Sequence, residues 1–427
     1  MSRRIAIVVQ RYGETITGGA ELHARLLAKA LQPHYQVDVL TSRALDYQVW
    51  DDHFAAGESV VEGCRVLRFD HPPRDRSRRK HMPLRHKLRF MLRPWLQRLG
   101  LPLVARPADD DVQDGLRYLR AQGPTMPGLI TYLQQHSSDY AALLFMTARF
   151  HPTALGVLVD PARSILVPTL HDEKTMVLPH FHRVFRAPAR ILYNTRAEQA
   201  VAHALYGPDL APGVLCGVGI DVRHDTEPAD LAEARWASTA ARLGVKGPYL
   251  LYAGRVDASK GCAELFEQFA QIQPRLSQPL QLVVCGKLFL PDPQHPQIRC
   301  TGFVSDQDRD DLMAHATALV LPSRHESLSL VVLEALAVGC PVIVNHGSEV
   351  LRHHVQDSQA GDTYANSRQL SEAIERQLHL SPAKRVEQAA RGRRYVRENY
   401  DWRSITATLR EAIDSVPAAG PTTPSAA

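Results

Sequence analysis

Arg4-Ile5-Ala6-Ile7-Val8-Val9-Gln10 is an almost unbroken apolar run rich in β-branched residues, the composition of a parallel strand buried on both faces. A loop holding Gly13, Gly18 and Gly19 follows. Next comes Glu21 to Leu31, in which Leu22, Leu26, Leu27, Ala30 and Leu31 line one helical face, and then a second strand, Val37-Asp38-Val39-Leu40-Thr41. Strand, glycine loop, helix and strand form a βαβ crossover. That places the glycine loop at the carboxyl edge of the sheet, where α/β proteins bind ligands. Working outward, Ala142 to Met146, Ser164 to Pro168 and Arg190 to Asn194 are predicted to be further strands.

A second series of the same kind begins at Tyr249 to Gly254, predicted as a strand. It continues with a helix over Cys262 to Ile272, strands at Leu280 to Cys285 and Ala318 to Leu321, a helix over Leu328 to Ala337 closed by Gly339, and a strand at Pro341 to Val344. Between the series, Gly217-Val218-Gly219-Ile220-Asp221 and the polar stretch to Ala232 read as a hinge. The expected organisation is a first domain over 1–217, a second over 218–394, a helix over 395–416 and a disordered tail over 417–427. A chain of 427 residues suits two cores, and 44% hydrophobic with 22% charged residues is a globular composition.

No apolar run approaches the roughly 18 to 20 residues that a membrane helix needs, and the first strand leaves no room for a signal peptide, so a cytoplasmic location is expected. The six cysteines, Cys64, Cys216, Cys262, Cys285, Cys300 and Cys340, are scattered singly, without the pairing of a zinc site or a disulfide scaffold. Net charge is +5, and much of it is local: between Arg74 and Arg98 ten Lys or Arg residues face only Asp75. In the segment 74–99, Leu84, Leu88, Met91, Leu92, Trp95, Leu96 and Leu99 recur at helical spacing beside that basic face, with a kink expected at Pro94. The plainer reading is a helix packing its apolar stripe inward. The alternative is a helix lying on an anionic membrane surface, peripheral to it, or contacting an acidic acceptor. Nucleic-acid binding is not expected.

The densest chemical signal is Leu321-Pro322-Ser323-Arg324-His325-Glu326-Ser327-Leu328-Ser329-Leu330-Val331-Val332-Leu333-Glu334. A strand ends, a polar loop delivers Glu326, and a helix begins near Ser329, aiming free backbone N–H groups at a phosphate or sugar hydroxyl. Glu334 lies among apolar neighbours and needs a partner; a bound ligand and a structural capping or salt-bridge role both satisfy that need. In Gly254-Arg255-Val256-Asp257-Ala258-Ser259-Lys260-Gly261, two cations can converge on a diphosphate, although a pair of surface cations is the alternative. In Thr169-Leu170-His171-Asp172-Glu173, His171 can bond a reacting sugar and Asp172 can orient its imidazole or contact the acceptor, or His171 can be structural. The Gly18-Gly19 loop lacks three-glycine spacing, and no acidic residue follows the second strand as an NAD ribose would require. Both features count against a dinucleotide-dependent oxidoreductase.

Four motifs in this order resemble the retaining glycosyltransferase family 4: Gly18-Gly19, the interdomain Gly217-Val218-Gly219-Ile220-Asp221, Gly254-Arg255 with Lys260-Gly261, and Glu326 with Glu334 as Glu-x7-Glu. The resemblance implies a GT-B fold, an α/β architecture of two Rossmann-like parallel-sheet domains facing a cleft, with a carboxy-terminal helix crossing back to the first domain near Tyr400 and Trp402. It further implies transfer of a hexose from a UDP or GDP sugar to a glycan or lipid-linked acceptor, with retention and without cofactor or metal. By the same resemblance Arg255 and Lys260 bind the diphosphate, Glu334 the ribose, and Glu326 and His171 the transferred sugar. Gly18, Gly19 and Gly286 allow close approach, and Ser327, Leu328, Ser329 and Leu330 offer backbone N–H groups. Glu326-Ser327-Leu328-Ser329-Leu330 stands where many members have Glu-Gly-Phe-Gly-Leu, and Gly286-Lys287 replaces a common Gly-x-Gly turn. Competing readings are a nucleotide-sugar epimerase of similar fold and a catalytically silent nucleotide-binding subunit.

Overall fold

The computed structural model describes residues 3–16, 18–47, 49–72, 84–98, 109–222 and 229–417. The chain divides into two compact units, 1–218 together with 403–427, and 219–402.

The first unit carries eight strands: β1 (Arg4–Val8), β2 (Gln36–Ser42), β3 (Gly57–Val61), β4 (Cys64–Phe69), β5 (Ala142–Met146), β6 (Ser164–Val167), β7 (Arg190–Tyr193) and β8 (Gly213–Leu215). They lie in the order β3-β4-β2-β1-β5-β6-β7-β8. Every pairing is parallel except the hairpin β3–β4. The central strands are buried on both faces, as their apolar runs require: Ile5, Ala6, Ile7 and Val8 of β1 and Leu143, Leu144 and Phe145 of β5 have no exposed surface. The order in which strands are added to the sheet reverses between β1 and β5, which run parallel. The loop after β1, with Gly13, Gly18 and Gly19, therefore sits at that unit's switch point.

The second unit holds β9 (Tyr249–Ala253), β10 (Gln281–Cys285), β11 (Ile298–Gly302), β12 (Ala318–Leu321), β13 (Val342–Asn345) and β14 (Gly361–Tyr364). The order is β11-β10-β9-β12-β13-β14, and all pairings are parallel. Renumbered from one, this is 3-2-1-4-5-6, the doubly wound order whose ligand crevice opens between the first and fourth strands.

Three expectations change. The helix read over 395–416 is two helices, Pro382–Asn399 and Trp402–Asp414, because Tyr400 leaves helical geometry with φ −133° and ψ 30°. The helix read from Leu328 begins at Leu330. Third, the segment 84–98 is one helix, but it does not pack its apolar stripe inward. His86 is fully buried and its Nε2 lies 3.2 Å from Asp114 Oδ2, while Leu84, Leu88, Met91, Leu92 and Trp95 are exposed. The flanking positions 74–83 and 99, the hinge residues 223–228 and the tail 418–427 lie outside the described residues. Among the described residues no helix is long and apolar enough to cross a membrane, and all six cysteines are free.

Candidate active site

The two strongest motifs sit on neighbouring strands. Gly254-Arg255 leaves the carboxyl end of β9 and Pro322-Ser323 leaves that of β12, on either side of the second unit's switch point. Glycine permits the approach of the loops. Gly254 and Gly286 adopt φ 143° and 140°, and a Cβ on Gly286 would lie 1.9 Å from the Gly254 carbonyl oxygen. Gly261, at φ 78°, is pressed to the other loop, where a Cβ would stand 2.9 Å from the Pro322 carbonyl oxygen.

Asp257 organises the cationic loop. Its Oδ1 accepts from the Lys260 backbone N–H at 3.0 Å and from the Ser259 hydroxyl at 2.6 Å, and its Oδ2 accepts from Arg255 Nε. Burial raises the Asp257 pKa, but the Ser259 hydroxyl and the Arg255 charge outweigh it and leave the carboxyl below its ordinary value. Beneath, the Tyr252 hydroxyl donates to the Arg255 carbonyl at 2.7 Å. Lys260 then reaches across to the second loop, where its Nζ donates to Glu326 Oε1 at 2.7 Å. Two residues predicted separately, a phosphate cation and a sugar carboxylate, are thus one ion pair.

The Glu326 loop is held from below by residues the sequence reading did not single out. His354 is buried; its Nε2 donates to the Leu328 carbonyl at 2.7 Å, and its Nδ1 accepts from the Tyr395 hydroxyl at 2.9 Å. Burial pushes His354 down to about pKa 4, so the neutral imidazole holds the loop at neutral pH. Asn345 Nδ2, at the end of β13, donates to the Pro322 carbonyl at 3.1 Å. Ser329 occupies the N-cap of the helix Leu330–Val338 in left-handed geometry, φ 65° and ψ 69°, and its buried hydroxyl has no hydrogen-bond partner among the described residues. That conformation costs a side chain about 1–2 kcal/mol and is the reason glycine suits the position.

Glu334, one turn into that helix, meets Arg309 Nη2 at 3.5 Å. Burial raises its pKa and Arg309 opposes the rise. Arg309 comes from the helix Asp306–His315, and its Nε is buried without a partner among the described residues. A surface-like run of Asp306, Asp308, Arg309 and Asp310 concealed it in the sequence.

In the first unit, Gly18 is required by Glu21: a Cβ there would lie 2.1 Å from Glu21 Oε2. Buried Glu21 accepts from Arg11 Nη2 at 2.6 Å and Gln10 Nε2 at 2.9 Å, tying the end of β1 to the first helix. Gly19 starts that helix, with nothing within 4 Å of its would-be Cβ. His171 follows β6. A carboxylate the sequence reading did not single out, Glu173, lies at its imidazole, with Oε1 2.6 Å from His171 Nε2. Burial works against the ionised Glu173, but the His171 hydrogen bond and the Arg149 guanidinium, 2.8 Å away, hold it down to about pKa 2. Buried Glu198, in the helix Arg196–Tyr206, accepts from the backbone N–H groups of Leu170 and Asn194 and so fixes the segment that carries His171.

Residues 238–395, nearly all of the second unit's core, match the family described as glycosyl transferases group 1. Over 431 aligned residues the chain is 29% identical to a glycogen synthase of Mycobacterium tuberculosis, covering 95% of this chain and 94% of that protein. Among solved structures, sucrose-phosphate synthase from Thermosynechococcus elongatus superposes with a TM-score of 0.65 at 17% identity, over 98% of this chain and 100% of that one. Alr3699/HepE of Anabaena, solved in complex with UDP-glucose, gives 0.63 at 17% identity over 97% and 100%. The fold is therefore GT-B, and these matches support a glycosyltransferase acting from a nucleotide sugar.

Proposed function

We propose that the protein is a retaining hexosyltransferase that uses a UDP or GDP hexose, needs no metal, and glycosylates a hydroxyl of a glycan or lipid-linked acceptor. The observation that carries this reading is the convergence of Arg255, Lys260, Glu326 and Glu334 on the loops and helix that follow β9 and β12. A diphosphate placed there meets two cations and the amino end of the helix Leu330–Val338, which together neutralise the charge that grows on the leaving group. Glu334 accepts from the ribose hydroxyls, with Arg309 beside it. Glu326 accepts from hydroxyls of the transferred sugar. The unpartnered Ser329 hydroxyl and the backbone of Ser327 to Leu330 complete the phosphate and sugar contacts.

In the transfer, the acceptor oxygen bonds to the anomeric carbon as the bond from that carbon to the phosphate oxygen breaks on the same face. The departing phosphate oxygen takes the acceptor proton, and the configuration is retained. UDP is the first donor base to test, since UDP-glucose is bound by the Anabaena neighbour. Calorimetry with UDP, GDP, ADP and NAD, without metal, tests the reading on the wild type and on Arg255→Ala. Tight binding of one nucleoside diphosphate that the variant loses is expected, together with turnover unaffected by EDTA. Binding of NAD alone, or of none of the four, would overturn it.

A further inference from the structure

The helix Leu84–Arg98 of the first unit turns its greasy side outward. Leu84, Leu88, Met91, Leu92 and Trp95 are 70%, 48%, 72%, 52% and 68% exposed. At about 100° per residue these five positions fall on one stripe, and His86, which is buried, and Phe90, which is partly buried, fall on the opposite side. The helix is therefore anchored to its unit by the His86 side, where His86 meets Asp114, and presents five large apolar side chains to the surroundings.

The charge around the stripe identifies what covers it. Lys87 is exposed on one flank. By the same register position 98 falls beside Lys87 and positions 85 and 89 fall on the other flank, and the sequence has arginine at all three. An apolar stripe with a cationic margin on both sides is built to sink partway into a lipid headgroup layer, with the cations at the level of the phosphates and a tryptophan at the boundary. The single sign of that margin favours an anionic lipid surface as the occupant.

We propose that this helix docks the protein on an anionic lipid surface, lying in the plane of the interface with Leu84, Leu88, Met91, Leu92 and Trp95 in the lipid. The proposal stands apart from the donor-site reading, because it requires neither nucleotide binding nor turnover.

The test is sedimentation of the full-length protein with phosphatidylglycerol-containing vesicles and with pure phosphatidylcholine vesicles. The wild type is expected to bind the anionic vesicles more tightly, and added salt to weaken that binding. In the variant Leu88→Gln/Met91→Gln/Trp95→Gln, partitioning onto anionic vesicles should fall by at least about tenfold. These side chains are exposed, so the melting temperature of the variant should match that of the wild type. Should the variant unfold, fluorescence decides: anionic vesicles should blue-shift wild-type emission, and the shift should vanish in Trp95→Phe. No binding of the wild type to anionic vesicles overturns the proposal, and so does undiminished binding by the folded triple variant. A concentration-dependent dimer that the triple variant abolishes, without vesicle binding, overturns it in favour of a second copy of the chain.

Discussion

Lys260 Nζ stands 2.7 Å from Glu326 Oε1, so the cation expected to meet the donor phosphate is held by the carboxylate expected to meet the donor sugar. Both side chains are largely sheltered, at 30% and 11% exposure, and neither charge is spent on solvent. A bound donor must share or replace this bond. Glu326→Gln releases Lys260 and should raise affinity for the nucleoside diphosphate a few-fold, while turnover falls by about a hundredfold as a sugar contact is lost. Lys260→Met should lower both. In the double variant the binding effects should be non-additive, which calorimetry on all four proteins would reveal. Additive effects would mean that the pair does not act as a unit.

Arg255 is placed by Asp257, whose carboxylate also caps the short turn at Ala258–Lys260. A planar guanidinium and a point ammonium are not equivalent there. Arg255→Lys should lose roughly tenfold in nucleotide affinity despite keeping its charge. Asp257→Ala should lose affinity and about 1 kcal/mol of stability through the missing cap. Isothermal titration and chemical denaturation would report the two losses separately.

Burial pushes the carboxyl of Glu198 up from 4.5 to about 8, against the hydrogen bonds from Asn194 and Leu170. A raised folded-state pKa contributes stability that is complete below the unfolded value and disappears as pH climbs through the folded value. The wild type should therefore lose stability relative to Glu198→Gln between about pH 4.5 and pH 8. Across that window the melting temperature of the wild type should fall relative to that of Glu198→Gln as pH rises. A constant gap would show that Glu198 does not titrate there.

Ser329 sits at φ 65° with an unsatisfied buried hydroxyl. Ser329→Gly should relieve about 1 kcal/mol of strain and raise the melting temperature of the free protein by about 2–4 °C. If the hydroxyl serves the donor, the same variant should bind nucleotide sugar more weakly than the wild type. A variant that gains stability without losing affinity would confine Ser329 to a structural role.

Much of this was readable from local pattern. Apolar runs such as Ile5–Val9 mark buried parallel strands, and each motif residue lies on the loop or helix to which its strand delivers it. Less legible were groups whose importance arises from distant contacts. His354 supports Leu328 from another helix, Arg309 reaches Glu334 out of an acidic run, and Glu198 binds the backbone before His171 across 28 positions. Spacing cannot reveal such partners. Periodicity located the stripe on the helix Leu84–Arg98, but it could not say which side faces inward; that choice was made by His86 and Asp114. The hairpin of β3 and β4 leaves little trace in the sequence because Gly57-Glu58-Ser59-Val60-Val61 is an edge strand with little burial to pattern it.

The second unit is a single unbroken stretch whose two ends meet. Ile220 N–H donates to the Tyr400 carbonyl at 2.8 Å, and Gly219 lies so close to the Trp402 ring that a Cβ would come within 2.1 Å of it. A segment clasped at its own termini loses little chain entropy when it is spliced into a host. It is a cassette: it can be exchanged with the corresponding stretch of a related chain at these two junctions, leaving the host's sheet intact. New variants can then arise, in the laboratory or by recombination, through transplantation of a whole module, provided that the glycine and tryptophan at the seam travel together.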